Sequence, residues 1–197
     1  MYKHWRGLFY PEKLAVKRWF AFYAEEFDTV EINSSFYHLP PPKTFEGWRK
    51  QAPPGFCYAV KANRFLTQAK KLRDCEEPIA RQMASFYALR PKLGPILYQL
   101  PPRLTLNIER LESFLQLLPD DVTSVFEFRE PSWYTDEALL EWTDWIGEQA
   151  RAGRAVWAYF NNDPEAHAIH DAQTLRAMVR QAGIGRIAAA KELETLA

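Results

Sequence analysis

Short apolar runs that each end in a polar or ionisable side chain recur along this chain, and no other feature restricts its fold so strongly. Val30-Glu31-Ile32-Asn33 is the first and Tyr58-Ala59-Val60-Lys61 the second. Ile96-Leu97-Tyr98-Gln99, Phe126-Glu127-Phe128-Arg129 and Val156 through Asn161-Asn162-Asp163 follow. Pro101-Pro102, Pro131-Ser132 and Pro164 close three of them. Helical patterns separate the runs, and strands alternating with helices build a parallel sheet with covered faces. In such sheets, and in barrels made from them, ligands bind beyond the carboxyl ends of the strands. The polar run ends therefore predict a polar, ionisable pocket on one face of the molecule.

The spacing predicts strands over about 28–33, 56–61, 95–100, 123–129 and 155–161. Helices are expected over about 11–26, 43–51, 76–90, 108–118, 136–152 and 170–181. Leu14, Trp19, Phe20, Tyr23 and Phe27 mark the first helix, and Ile79, Met83, Phe86 and Leu89 share one face of the third. Asn107 suits a helix cap and Gly153 a C-terminal stop. About five strands are too few for a closed barrel of eight, so the pattern alone admits an open α/β sheet as readily as a barrel. The 197 residues suit one domain, and 47% hydrophobic with 15% aromatic content argues against disorder.

Side chains alternate along a strand, so Glu31 and Asn33 are expected on one face, as are Glu127 and Arg129. Glu31, Lys61 and Glu127 supply candidate acid, base and electrostatic groups, and Arg129 a candidate anion anchor. Glu127 and Arg129 also have a plainer reading, a structural ion pair. Lys61 follows three apolar-looking positions; desolvation there would lower its pKa, whereas a lysine snorkelling at the rim would keep it ordinary. Asn33, Gln99, Asn161 and Asn162 could orient a ligand by hydrogen bonds, although Asn after a strand is also an ordinary turn residue. Trp133 either stacks on a ligand or holds a loop. His167 and His170 lack a third ligand, and no metal site is expected. The chain carries no P-loop, no GxGxxG and no Gly-x-Ser-x-Gly elbow, and its residues imply no particular cofactor.

Charge is balanced at 25 basic against 25 acidic residues, without the basic excess of a general nucleic-acid binder. A small-molecule ligand is the expected partner. Cys57 and Cys75 form neither a metal pair nor a disulfide framework, and Cys57 reads as a small buried hydrophobe. The first residues lack the apolar core of a secretory signal, and no stretch approaches the roughly 20 apolar residues of a membrane span. A cytoplasmic location is the resulting expectation.

Six stretches carry a family resemblance: YKHWRGLFYPEKL at 2–14, FDTVEINSSFYHLPPPKTFEGW at 27–48, PPGFCYAVKANRFLT at 53–67, LGPILYQLPPRL at 93–104, FEFREPSW at 126–133 and YFNND at 159–163. In this order they resemble the YecE-like proteins, domain-of-unknown-function family 72. The resemblance implies a TIM-barrel-type (β/α) fold and no established reaction. Its polar strand-end positions fall on Glu31, Asn33, Lys61, Gln99, Glu127, Arg129, Asn161 and Asn162.

Two departures stand out. Family members begin with a strand ending in a Gly-Thr-Ser-Gly-Trp-like segment, whereas here Met1 directly precedes Tyr2. Near Asp136 to Leu139, two further strands of the family, one bearing an Arg-x-His-Gly-like motif, have no counterpart. The expectation is a single YecE-like domain over 1–197, shortened at its N-terminus and internally deleted. Its incomplete TIM-barrel-like sheet would have about five parallel strands, and exposed edges could pair with a second copy. The functional expectation is an enzyme acting on a small polar or anionic, sugar- or phosphate-like, molecule. A nucleotide or nucleic-acid binding module without catalysis, or an inactive remnant, are the alternatives.

Overall fold

The computed structural model describes residues 3–154, 156–160 and 167–184. The structure comprises two compact units, Met1–Arg129 and Glu130–Ala197.

In the first unit, helix α1 spans Trp19–Glu26, preceded by a single 3-10 turn at Val16–Arg18. The helix predicted from residue 11 thus starts later. The segment before it is pinned against the helix rather than continuing it: Tyr10 stacks on Trp19 at 4.5 Å, and Trp19 Nε1 donates to Leu14 O at 3.1 Å. Strand β1 (Thr29–Ile32) leads at once into a short helix, α2 (Ser34–Tyr37), and then α3 (Pro42–Gln51). Pro42 at the first helical position suits the start of α3, where its missing N–H would have no partner anyway. Strand β2 (Cys57–Lys61) is followed by a π-helical turn at Phe65–Ala69 and by α4 (Glu76–Phe86). Strand β3 (Leu93–Gln99), helix α5 (Ile108–Leu115) and strand β4 (Ser124–Glu127) complete the unit.

The four strands are parallel in the order β1-β2-β3-β4. Alternation along them separates two faces. Ile32, Tyr58, Val60, Ile96 and Tyr98 are buried on one. The helices present Phe45 from α3, Ile79, Met83 and Phe86 from α4, and Leu111 and Phe114 from α5 as buried partners for this core. Phe45 meets Phe86 edge-on at 5.4 Å, and Tyr98 meets Phe114 at 5.5 Å. Each such side chain stabilises the fold by about 1.5–3 kcal/mol through burial. The opposite face carries Glu31, Ala59, Lys61, Leu97, Gln99, Val125 and Glu127, all half-buried or exposed.

The β2–β3 ladder contains a bulge. Tyr58 pairs with Leu93 but Val60 with Ile96, so three steps on β3 match two on β2. Gly94 and Pro95 occupy the extra step. A Cβ at position 94 would lie 2.3 Å from Cys57 Sγ and 3.2 Å from Tyr58 O, and proline lacks the N–H that a regular ladder would require.

Among the described residues the sheet has four strands, not about five. Residues 156–160 of the predicted fifth strand form none, and Trp157 and Tyr159 are 62% and 84% exposed. An apolar run reports readiness for burial; it becomes a strand only where a neighbouring backbone accepts its hydrogen bonds.

The second unit holds α6 (Asp136–Arg151) and α7 (His167–Gln181). The Thr135 hydroxyl accepts from Ala138 N, and Asp136 and Glu137 lie in the positive first turn of α6. Leu139, Leu175 and Val179 form its buried centre, with Trp142, Ile146 and Phe160 packed around them.

Candidate functional site

Strand β4 stops at Glu127, directly opposite Gln99, the last residue of β3. That pairing lets Gln99 Nε2 donate to Glu127 Oε2 at 2.7 Å, while Arg129 Nε lies 3.7 Å from Oε1. Arg129 lies two residues past the end of the strand, on the same side as Glu127, as alternation leads one to expect. The Arg129 side chain is 50% exposed and that of Glu127 27%. The guanidinium therefore keeps donors free for a ligand while Glu127 is partly shielded. The Gln99 carbonyl is itself held by Gln68 Nε2 at 3.0 Å, which ties the connection after β2 to the end of β3.

Lys61 ends β2 and is half-buried, with its Nζ 5.1 Å from the centre of the Phe36 ring. Aromatic contact of this kind steadies an ammonium without neutralising it. Glu31 is exposed on β1 opposite Ala59. Three interstrand steps separate β1 from β4, roughly 14 Å across the sheet. The two carboxylates expected as an acid and base thus stand at opposite edges and do not form a pair.

Asn33 does not share the Glu31 face. Its backbone is already helical (φ −87°, ψ −21°), and its carbonyl accepts from Phe36 N at 3.1 Å at the entrance to α2. The chain turns immediately after Ile32, which takes Asn33 out of the strand. Trp133, in the second unit, is 2% exposed and its carbonyl accepts from Trp142 Nε1 at 2.9 Å. A ring so enclosed holds its loop and offers no face for stacking. Asn161 and Asn162 lie outside the described residues.

Sequence reasoning missed the buried polar layer beneath Lys61. Ser35 is fully buried, and its hydroxyl is shared between Ile32 O at 2.9 Å and Lys61 O at 2.6 Å. Asn63 Nδ2 donates to Ser35 O at 2.8 Å, and Asn63 N donates to Gln82 Oε1 at 2.8 Å. Phe65 N closes the turn onto Asn63 Oδ1 at 3.0 Å. This layer joins the carboxyl ends of β1 and β2 and fixes the backbone from which Lys61 projects. A signal for it existed: Gln82 follows Ile79 by three residues, on the apolar face of α4, where a glutamine is buried and must find partners.

Among the described residues no group of three or more His, Cys, Asp or Glu is placed to hold a metal ion, and His167 and His170 join none. No helix of the described residues is long and apolar enough to cross a membrane.

The family model described as "Protein of unknown function DUF72" matches residues 1–143 and again 134–194. Among curated proteins, the chain is 29% identical over 116 residues to the UPF0759 protein YecE of Escherichia coli, covering 57% of this chain and 42% of that protein. It is 28% identical over 138 residues to the UPF0759 protein YunF of Bacillus subtilis, covering 64% and 48%. The chain thus spans about half the length of the curated relatives it matches. A crystal structure of a DUF72 family protein from Thermotoga maritima superposes with a TM-score of 0.58 at 25% identity, covering 73% of this chain and 58% of that one. For a DUF72 family protein of Enterococcus faecalis the TM-score is 0.56 at 20% identity, with 65% and 54% covered.

Proposed function

The chain belongs to the DUF72 family of proteins of unknown function, and from that premise we propose that its strand ends bind and transform a small polar or anionic molecule, sugar- or phosphate-like. The four parallel strands are read as part of a TIM-barrel-like (β/α) sheet, whose ligands lie at the carboxyl ends of the strands. One observation carries the reading: a half-buried carboxylate, Glu127, held by an amide and a guanidinium at such an end. Gln99 fixes the carboxylate's orientation, as a proton-transferring group requires. Arg129 anchors the anionic part of the ligand, and Lys61 contributes positive potential from the neighbouring strand. Glu31, at the far edge, is not the partner of Glu127 in this scheme.

The test is a binding and turnover screen of neutral sugars, sugar phosphates and small carboxylates. For a molecule that is turned over, Glu127→Gln keeps the shape and lowers kcat about 10²–10⁴-fold. Arg129→Ala raises KM for anionic members and spares neutral ones. Unchanged turnover in Glu127→Gln together with Lys61→Ala overturns the assignment.

A second reading, an inactive remnant, is favoured by the two family-model matches sharing residues 134–143. One stretch of this chain then corresponds to two places in the family pattern, which fits a deletion between them. Absence of any ligand in the screen, with a cooperatively folded sample, supports that reading over the first.

A further inference from the structure

The connections after β2 and β3 carry a charge imbalance that the whole chain lacks. Residues 61–73 contain Lys61, Arg64, Lys70, Lys71 and Arg73 and no acidic residue, against an overall balance of 25 and 25. Lys70, Lys71 and Arg73 line a surface depression of about 440 Å³, facing Arg103 and Thr105 from the connection after β3 and Arg110 from the first turn of α5. None of the five lining cations is in the Arg90–Asp121 or Arg129–Glu127 ion pair, and the nearest acids in sequence, Asp74 and Glu76, do not line the depression. Like charges gathered around a concavity repel and focus a positive potential into it, and an entering anion relieves both.

Both connections are held in place by their own folds. Leu72 and Leu104 are each 4% exposed and root the two segments in the core. Lys70 N donates to Phe65 O at 2.8 Å, Leu72 N to Leu66 O at 3.0 Å and Leu104 N to Pro101 O at 3.1 Å. The side chains above them are thus presented from ordered backbone, which lowers the entropy lost when a ligand is gripped. Lys71 and Leu72 have φ of 50° and 67°, in the left-handed region. Leu72 is accounted for by its burial. Lys71 is exposed, as is Asp74 with φ 48°, and glycine would adopt either backbone at lower cost.

We propose that this depression binds a small molecule carrying two or more phosphate groups, held by Lys70, Lys71, Arg73, Arg103 and Arg110. Its volume falls within the range of about 300–1,000 Å³ usual for small-molecule sites. Arginine forks match phosphate oxygens in pairs, and the two half-buried cations, Lys70 and Arg110, give up less hydration on contact. The site does not depend on any chemistry at Glu127.

Isothermal titration of the full chain with inorganic pyrophosphate tests it. The expected result is one saturable site whose affinity falls at least about tenfold in Arg73→Ala/Arg103→Ala. Lys43→Ala, on exposed α3 surface, leaves it unchanged. Lys71→Gly provides a second variant, which relieves backbone strain: thermal stability is expected to be kept or raised while pyrophosphate affinity falls severalfold. A purely structural role for Lys71 would not move the two in opposite directions. No saturable binding, equal loss in Lys43→Ala, or full displacement by equimolar sulfate overturns the proposal. A single-stranded oligonucleotide that outcompetes pyrophosphate and is weakened by the same variants overturns it too, and assigns the depression to a phosphodiester backbone.

Discussion

The two faces of one four-stranded sheet lead different lives. On β2, Tyr58 and Val60 are 3% and 0% exposed, while Ala59 and Lys61, one residue on from each, are half-buried. The same step separates Ile96 from Leu97 and Tyr98 from Gln99 on β3. In a parallel sheet covered on both sides, both sets would be apolar. Here the covered face is apolar and aromatic, whereas the other mixes Ala59, Leu97 and Val125 with Glu31, Lys61, Gln99 and Glu127. Stability and candidate chemistry are thus written into alternate letters of the same strands, and each can change without the other.

Neighbouring substitutions on β3 put this division to its hardest test. Ile96→Ala empties a site in the core and is expected to cost about 2–5 kcal/mol in urea unfolding. Leu97→Ala, on the open face, is expected to cost less than about 1 kcal/mol. Equal costs would mean that the open face is covered in solution, and sedimentation of the two variants would reveal whether a second copy of the chain covers it.

The polar layer below Lys61 is where the two faces depend on each other. Ser35→Ala leaves buried carbonyls at Ile32 and Lys61 without their donor and should cost about 1–3 kcal/mol. Because it also loosens the end of β2, any Lys61-dependent ligand binding should weaken, while pyrophosphate binding at the depression, whose backbone is held by its own hydrogen bonds, should be nearly untouched. Loss of both to the same degree would show that the two connections move as one body.

The smallest effect expected is an alkaline one, confined to the covered face. Burial pushes the Tyr58 hydroxyl, which donates to Trp48 O at 2.8 Å, up to about 12. An unfolded tyrosine ionises near its ordinary value of 10.0. The resulting contribution is complete below pH 10 and is lost as pH rises towards 12. Tyr58→Phe should flatten the fall in stability over that interval, and absorbance titration near 295 nm should lose one late-ionising tyrosine while the more deeply buried Tyr98 remains.

Much of this arrangement was legible in the letters. The four strands that pair were all expected within a few residues, because their alternation and their turn residues agree. Gln99 and Lys61 stand out because each ends such a run, and Glu127 because it lies two residues before a run's end. What could not be read was anything that depends on a neighbour. Residues 156–160 have the composition of a strand but no pairing among the described residues. Asn33 looked like a strand residue because nothing local announces that α2 starts at Ser34. Glu31 and Glu127 hold the same place in their runs, two residues before the end, and only the strand order sets them at opposite edges. Ser35 looks like a surface residue until its hydroxyl is enclosed between the ends of β1 and β2.

The bulge at Gly94-Pro95 gives β3 a slip joint. Leu93 and Ile96 both keep their partners on β2 although two residues separate them where one separates Tyr58 from Val60, so slack is taken up before the strand reaches its functional end. Shortening the chain there by one residue would convert the irregular step into a regular one and leave Ile96 opposite Val60. Length changes in the approach to β3 would then stop at the joint, and Gln99 would still arrive beside Glu127. Sequence drift upstream is insulated from the one contact on which the candidate site most depends.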